Sequence, residues 1–95
     1  MAAQIKMYTR QWCGYCTAAV RLLDKKGVPY ENIDVTGDQE KRRWLVEASG
    51  GRTTVPQIFI NGKPIGGYDD MNALDRKGEL DKMIWDEAKA PAESP

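Results

Sequence analysis

A chain of 95 residues is long enough for one domain with one modest core. Its 14 basic and 14 acidic residues cancel, so no positive field recommends it to nucleic acid or to an anionic membrane surface. No apolar run approaches the ~20 residues of a membrane span, and residues 1–6 lack the apolar core of a signal peptide, so a cytoplasmic protein is expected.

Residues 4–9 alternate polar and apolar side chains, the pattern of a half-buried strand. Cys13-Gly14-Tyr15-Cys16 follows and holds the only two cysteines of the chain. Residues 17–26 carry Ala18, Ala19, Leu22 and Leu23 at helical spacing. Lys25 and Lys26 suit the negative end of that helix, Gly27 its stop, and Pro29 prevents continuation. Residues 30–35 read as a second strand, parallel to the first if the helix is the crossover. Asp38 is a good N-cap for a second helix running to about residue 49, with Trp44, Leu45 and Ala48 on one face and Gly50-Gly51 ending it.

Residues 57–60 predict a third strand. Asn61-Gly62 is a strong hairpin signal, and residues 63–66 return as a fourth strand, where Pro64 suits an edge. A third helix is expected to start after Asp69 or Asp70 and to include Met71, Leu74 and Asp75 until Gly78 breaks it. Leu80, Met83, Ile84 and Trp85 suggest a last short helix. The domain is expected to span residues 1–88 and a disordered tail residues 89–95. The order βαβ–α–ββ–α predicts an α/β protein with a four-stranded mixed sheet and helices on both faces. That is the thioredoxin fold in its shortest form.

The chemistry begins with the cysteines. Zinc takes about four Cys or His ligands, and a chain with two cysteines and no histidine cannot close such a site alone. Thiol–disulfide chemistry, or a metal shared between chains, remains. A C-x-x-C beside a βαβ pattern reads as a redox motif. In a reducing compartment a close pair is catalytic sooner than structural. Cysteine attacks as the thiolate. Cys13, just before a helix, faces free backbone N–H groups that stabilise an anion without any histidine. Cys16, one turn on, can meet it. Cys13 is therefore the nucleophile and Cys16 the resolving thiol. Arg10 either adds positive potential or is a solvated charge.

Two further stretches bear on a ligand. Pro56 in Thr54-Val55-Pro56 sits where a trans proline commonly starts a strand; the rarer cis isomer would leave the Val55 backbone free to pair with an extended peptide. Gly66-Gly67-Tyr68-Asp69-Asp70 is a turn entering a helix. Read alone it is an ordinary cap, but its small residues and N–H groups would also admit a carboxylate, and its acids an ammonium group. Among the tryptophans, Trp44 and Trp85 read as core or half-core. Trp12 is expected to bury as large aromatics do, with a shield for the thiolate or a contact for a protein substrate as the alternative.

Taken together, three stretches resemble the glutaredoxin family, especially its small bacterial members: Tyr8-Thr9-Arg10 with Cys13-Gly14-Tyr15-Cys16, residues 51–60 around Thr54-Val55-Pro56, and residues 65–70. The order and spacing fit from about residue 4 to residue 84. The resemblance implies a glutathione-dependent thiol–disulfide oxidoreductase acting on protein–glutathione mixed disulfides and protein disulfides, with ribonucleotide reductase a family-level partner.

It implies glutathione extended across the site. The glutathione sulfur would meet Cys13, and its backbone would pair with Val55 between Thr54 and a cis Pro56. Its γ-glutamyl group would meet Gly67, Tyr68, Asp69 and Asp70. Its glycine carboxylate would meet Arg10 and Arg43, with Arg42 the substitute, and Tyr15 would wall the groove. Two departures stand out. Gly14 replaces the commoner proline, and Tyr68 stands where many members carry Cys or Ser. Some C-G-Y-C members hold a [2Fe-2S] cluster between two chains, with Cys13 and glutathione as the implied ligands here, so the resemblance implies either a monomer or a cluster-bridged homodimer.

Overall fold

The computed structural model describes residues 3–86. The expected boundary at residue 88 and the tail at 89–95 lie outside the described residues. Strand β1 (Ile5–Thr9) leads into helix α1 (Gly14–Lys26), strand β2 (Glu31–Asp34) and helix α2 (Gln39–Ala48). Strands β3 (Gln57–Ile60) and β4 (Lys63–Gly66) form the hairpin, followed by helix α3 (Tyr68–Arg76) and a short helical end, α4 (Glu79–Asp81), which widens over Lys82–Asp86. The sheet order is β2-β1-β3-β4. β1 runs parallel to β2 and antiparallel to β3, and β3 is antiparallel to β4. Among the described residues no helix is long and apolar enough to cross a membrane.

The period-2 alternation of the central strands divides the core into two layers. Ile5 and Met7 of β1 and Ile58 and Ile60 of β3 face Ala19 and Leu23 of α1, Met71 of α3, and Leu80 and Ile84 beyond it. Tyr8 and Phe59 face the opposite side, against Val35 and Leu45. On that side the half-exposed Trp44 ring lies 5.3 Å from Tyr8 and 6.3 Å from Phe59, as half-core was expected. β4 is an edge strand, the position in a sheet where a proline is tolerated, and Pro64 lies opposite Phe59 beside a register irregularity. Asn61 and Gly62 both take left-handed backbone (φ 53° and 82°), the geometry that a two-residue hairpin of matching twist requires.

One helix starts where expected, directly after Cys13, and one earlier than expected, and side-chain caps set both. α1 begins at Gly14, before its first apolar repeat, because the Cys13 side chain itself caps it. α3 begins at Tyr68, with Gly67 as its cap, because Asp70 reaches back to the Gly67 N–H from inside the first turn. Apolar periodicity reports where a helix packs, and a capped first turn need not pack at all.

Candidate active site

The loop from β1 to α1 presents the cysteines. Cys13 is extended (φ −121°, ψ 110°), and its sulfur accepts the N–H of Cys16 at 3.3 Å, the position a capping Ser or Asp oxygen would hold. The start of α1 thus turns an amide donor and the positive end of its dipole toward that sulfur. Both cysteines are free thiols. Cys13 is half-buried and Cys16 only 4% exposed. Burial first, then the hydrogen bond with Cys13, pushes the Cys16 thiol up to about 12. At neutral pH Cys16 keeps its proton, and Cys13 is the sulfur that solvent can reach. Contrary to expectation, Trp12 is not buried. It occupies a left-handed turn (φ 54°) and stands 89% exposed beside Cys13.

Opposite lies the loop ahead of β3. Its Val55–Pro56 bond is cis. Four consecutive carbonyls of this loop each meet a side-chain donor. The Ser49 hydroxyl lies 3.2 Å from Arg52 O, Arg42 Nη2 donates to Thr53 O at 3.3 Å, Gln57 Nε2 to Thr54 O at 2.9 Å, and Cys13 Sγ to Val55 O at 3.7 Å. The donors come from the end of α2, from α2 itself, from β3 and from the cap of α1. A loop whose first residues, 51–54, are exposed is thereby held from several sides, and the last of its anchors is Cys13.

The turn into α3 completes the site. One Asp70 oxygen, Oδ2, accepts both the Gly67 N–H and Arg52 Nη2, each at 3.0 Å. These two donors, the amide foremost, hold its carboxyl below the usual range. Gly66, at φ 118°, has no alternative residue here: a Cβ would sit 2.4 Å from Asp70 Oδ2. The rings of Tyr15 and Tyr68 lie 6.3 Å apart.

A groove of about 540 Å³ runs between these elements. It brings together Arg10, Cys13, Tyr15, Thr54, Val55, Pro56, Gly67, Tyr68, Asp69 and Asp70, all of which the sequence proposed as ligand-facing or reactive. Cys16 lies beneath it. Arg43 does not line the groove. Its exposed side chain borders a separate surface hollow near Gly37, whereas Arg42, one residue earlier on α2, lines the groove. Arg52 was missed altogether. Its sequence position shows a basic residue in a loop, and only the fold sets it against Asp70. Among the described residues, no three His, Cys, Asp or Glu side chains converge on a metal-sized site.

Comparisons with known proteins agree on one family. The family profile described as Glutaredoxin matches residues 5–65. Glutaredoxin 3 of Escherichia coli (strain K12) is 45% identical over 82 residues, covering 86% of this chain and 98% of the relative. The crystal structure of a buckwheat glutaredoxin–glutathione complex is 33% identical with a TM-score of 0.76, covering 86% of this chain and 76% of that one. The holo form of glutaredoxin C1 from Populus tremula x tremuloides is 30% identical with a TM-score of 0.80, covering 92% and 80%.

Proposed function

The chain belongs to the glutaredoxin family and is a thiol–disulfide oxidoreductase, and from that premise we propose that glutathione is its reductant and that Cys13 carries the exchange. The observation supporting this most directly is the Cys13 sulfur, 3.7 Å from the Val55 carbonyl in a groove that holds Arg10 and Arg42 as well as Asp69. A tripeptide with two carboxylates, one ammonium group and a central thiol matches that set: an extended backbone for Val55, cations for carboxylates, an acid for the ammonium. The buckwheat relative is known as a complex with glutathione.

In the exchange, the Cys13 thiolate attacks the glutathionyl sulfur of a mixed disulfide. The Cys13–glutathione bond forms as the protein–sulfur bond breaks, and the protein leaves as a thiolate that takes up a proton. A second glutathione thiolate then attacks the glutathionyl sulfur on Cys13. Oxidised glutathione departs and the Cys13 thiolate is restored. On a protein disulfide, the Cys13 thiolate attacks one sulfur as the protein S–S bond breaks. The other protein sulfur leaves as a thiolate that takes up a proton, and Cys16 then resolves the mixed disulfide. Because Cys16 holds its proton, that proton passes to the departing protein thiolate as the Cys13–Cys16 bond closes.

The Val55 carbonyl links binding to this chemistry. As a thiol, Cys13 donates to that oxygen. As a thiolate it cannot, and the carbonyl becomes free for a substrate amide. The test is deglutathionylation of a glutathionylated peptide by Cys13→Ser and Cys16→Ser. The reading expects no turnover above background for the first and retained turnover for the second. Turnover surviving in Cys13→Ser ends it.

A second reading, two chains sharing a [2Fe-2S] cluster, draws support from the unequal cysteines. Such a cluster takes about four thiolates. With Cys16 buried, each chain offers Cys13 alone, so two chains and two glutathiones complete the set. Anaerobic incubation with iron, sulfide and glutathione should then give a coloured dimer that Cys13→Ser abolishes. A colourless monomer removes this reading.

A further inference from the structure

We propose that Arg52 and Asp70 form a positioning clamp that sets the width of the ligand groove, acting on substrate through the two walls they join. The proposal rests on the glutathione reading above. The pair bridges Arg52, four residues ahead of Pro56, and Asp70, in the first turn of α3, at 3.0 Å. Each partner is tied into its own wall. The Arg52 N–H donates to Ser49 Oγ at 3.2 Å, and the Ser49 hydroxyl also lies 3.2 Å from Arg52 O, so the backbone of Arg52 is fixed to the end of α2. The Asp70 oxygen that meets Arg52 also accepts the Gly67 N–H. A Cβ at Gly67 would stand 3.3 Å from Pro56 O, so the two walls, both lining the groove, come close together there.

The ion pair is thus the visible tie between a carbonyl-pinned loop and a glycine turn. Both side chains are 46% exposed, a setting in which an ion pair adds little to global stability. Its value lies in where it is: two ligand-facing elements from distant parts of the chain are held at one separation. Arg52 and Asp70 both line the groove, but Asp70 Oδ2 is already shared by two donors, so Asp69 is the acid left for a ligand's ammonium group.

The test is a steady-state cycle of Arg52→Gln, Asp70→Asn and the double variant, with a glutathionylated peptide and varied glutathione. Asp70→Asn retains an acceptor for the Gly67 N–H and removes only the charge. A clamp predicts that each single variant raises the glutathione KM about fivefold, equivalent to the modest coupling of neighbouring groups, with kcat within about twofold. The double variant should be no worse than the poorer single, and Arg52→Lys should recover part of the loss. Far-ultraviolet circular dichroism and melting of each variant separate misfolding from a widened groove.

Effects that multiply in the double variant would overturn the clamp, because each residue would then touch substrate independently. Unchanged KM in both singles would also overturn it. Failure of the glutathione reading looks different: the wild-type protein itself would turn over equally well with free cysteine and show no saturation by glutathione.

Discussion

The Cys13 sulfur donates to the Val55 carbonyl across 3.7 Å, joining the cap of α1 to the loop that precedes β3. The same sulfur accepts the Cys16 N–H at 3.3 Å. One atom is therefore helix cap and loop anchor, and it is also the proposed nucleophile. Its loss is expected to loosen the site as well as silence it.

The two thiols should separate cleanly by alkylation. Cys16 is buried and its ionisation is pushed from the ordinary 9.0 up to about 12, so iodoacetamide at pH 7 to 8 should label Cys13 and leave Cys16 unmodified until the protein is unfolded. The same displacement has a stability consequence. Between those two values the folded state holds a proton that the unfolded chain has released, so the Cys16 contribution is full below pH 9.0 and is lost as pH rises toward about 12. Cys16→Ala should flatten the alkaline side of a stability–pH curve from urea titrations. Rapid labelling of Cys16 in the native protein at pH 7 would refute this ordering.

Arg42 and Arg43 offer a test of which face of α2 meets the ligand. Arg42 lines the groove and donates to Thr53 O, while Arg43 is exposed outside it. Arg42→Ala should raise the glutathione KM several-fold and weaken its salt dependence. Arg43→Ala should leave both near wild type. A larger effect at Arg43 would place the carboxylate elsewhere.

That distinction marks what the sequence could convey. Strands β3 and β4 were legible to the residue, because Asn61-Gly62 fixes the hairpin and alternation fixes the faces. Cys13, Val55 and Asp69 were legible because their chemistry is written in the residue types and in three motifs at family spacing. Arg42 against Arg43 was not. Adjacent helix positions point about 100° apart, and a one-residue uncertainty in helix phase reverses the choice. Arg52 was hidden more deeply, since its partner lies 18 positions away and only the packing of two turns makes them neighbours. The exposure of Trp12 escaped as well, because a left-handed turn overrides the tendency of large aromatics to bury.

Gly14→Pro should be accepted and should stabilise the protein. Gly14 is the first residue of α1, where the backbone N–H has no intrahelical partner and proline fits. Cys13 already has the extended backbone that a following proline demands. A Cβ at position 14 meets nothing within 4 Å. Restricting the unfolded chain should add about 0.4–1 kcal/mol, read as a higher urea midpoint at unchanged slope. Destabilisation would mean that the Gly14 N–H is needed, and would direct attention to that amide as a donor within the site.

Gln57 should behave as a residue of the site although it never reaches the groove. It is 1% exposed, at the start of a strand whose other members are apolar, and its Nε2 donates to Thr54 O at 2.9 Å. A buried amide is costly unless bonded. Its bond holds the residue before Val55. Gln57→Leu keeps much of the volume and removes the donor, so the Thr54 carbonyl loses its partner at a cost of about 1–3 kcal/mol. Gln57→Glu should be worse still at neutral pH, because a buried carboxylate would face that carbonyl with no proton to share, and the loss should ease as pH falls and the carboxyl protonates. Urea titration at pH 5 and pH 8 reads that difference. Kinetics add the functional half: a loosened Thr54 should raise the glutathione KM of Gln57→Leu while Cys13 alkylation proceeds as in the wild type. If stability falls with KM unchanged, Gln57 serves the core alone, and the loop owes its shape to the anchors at Arg52, Thr53 and Val55.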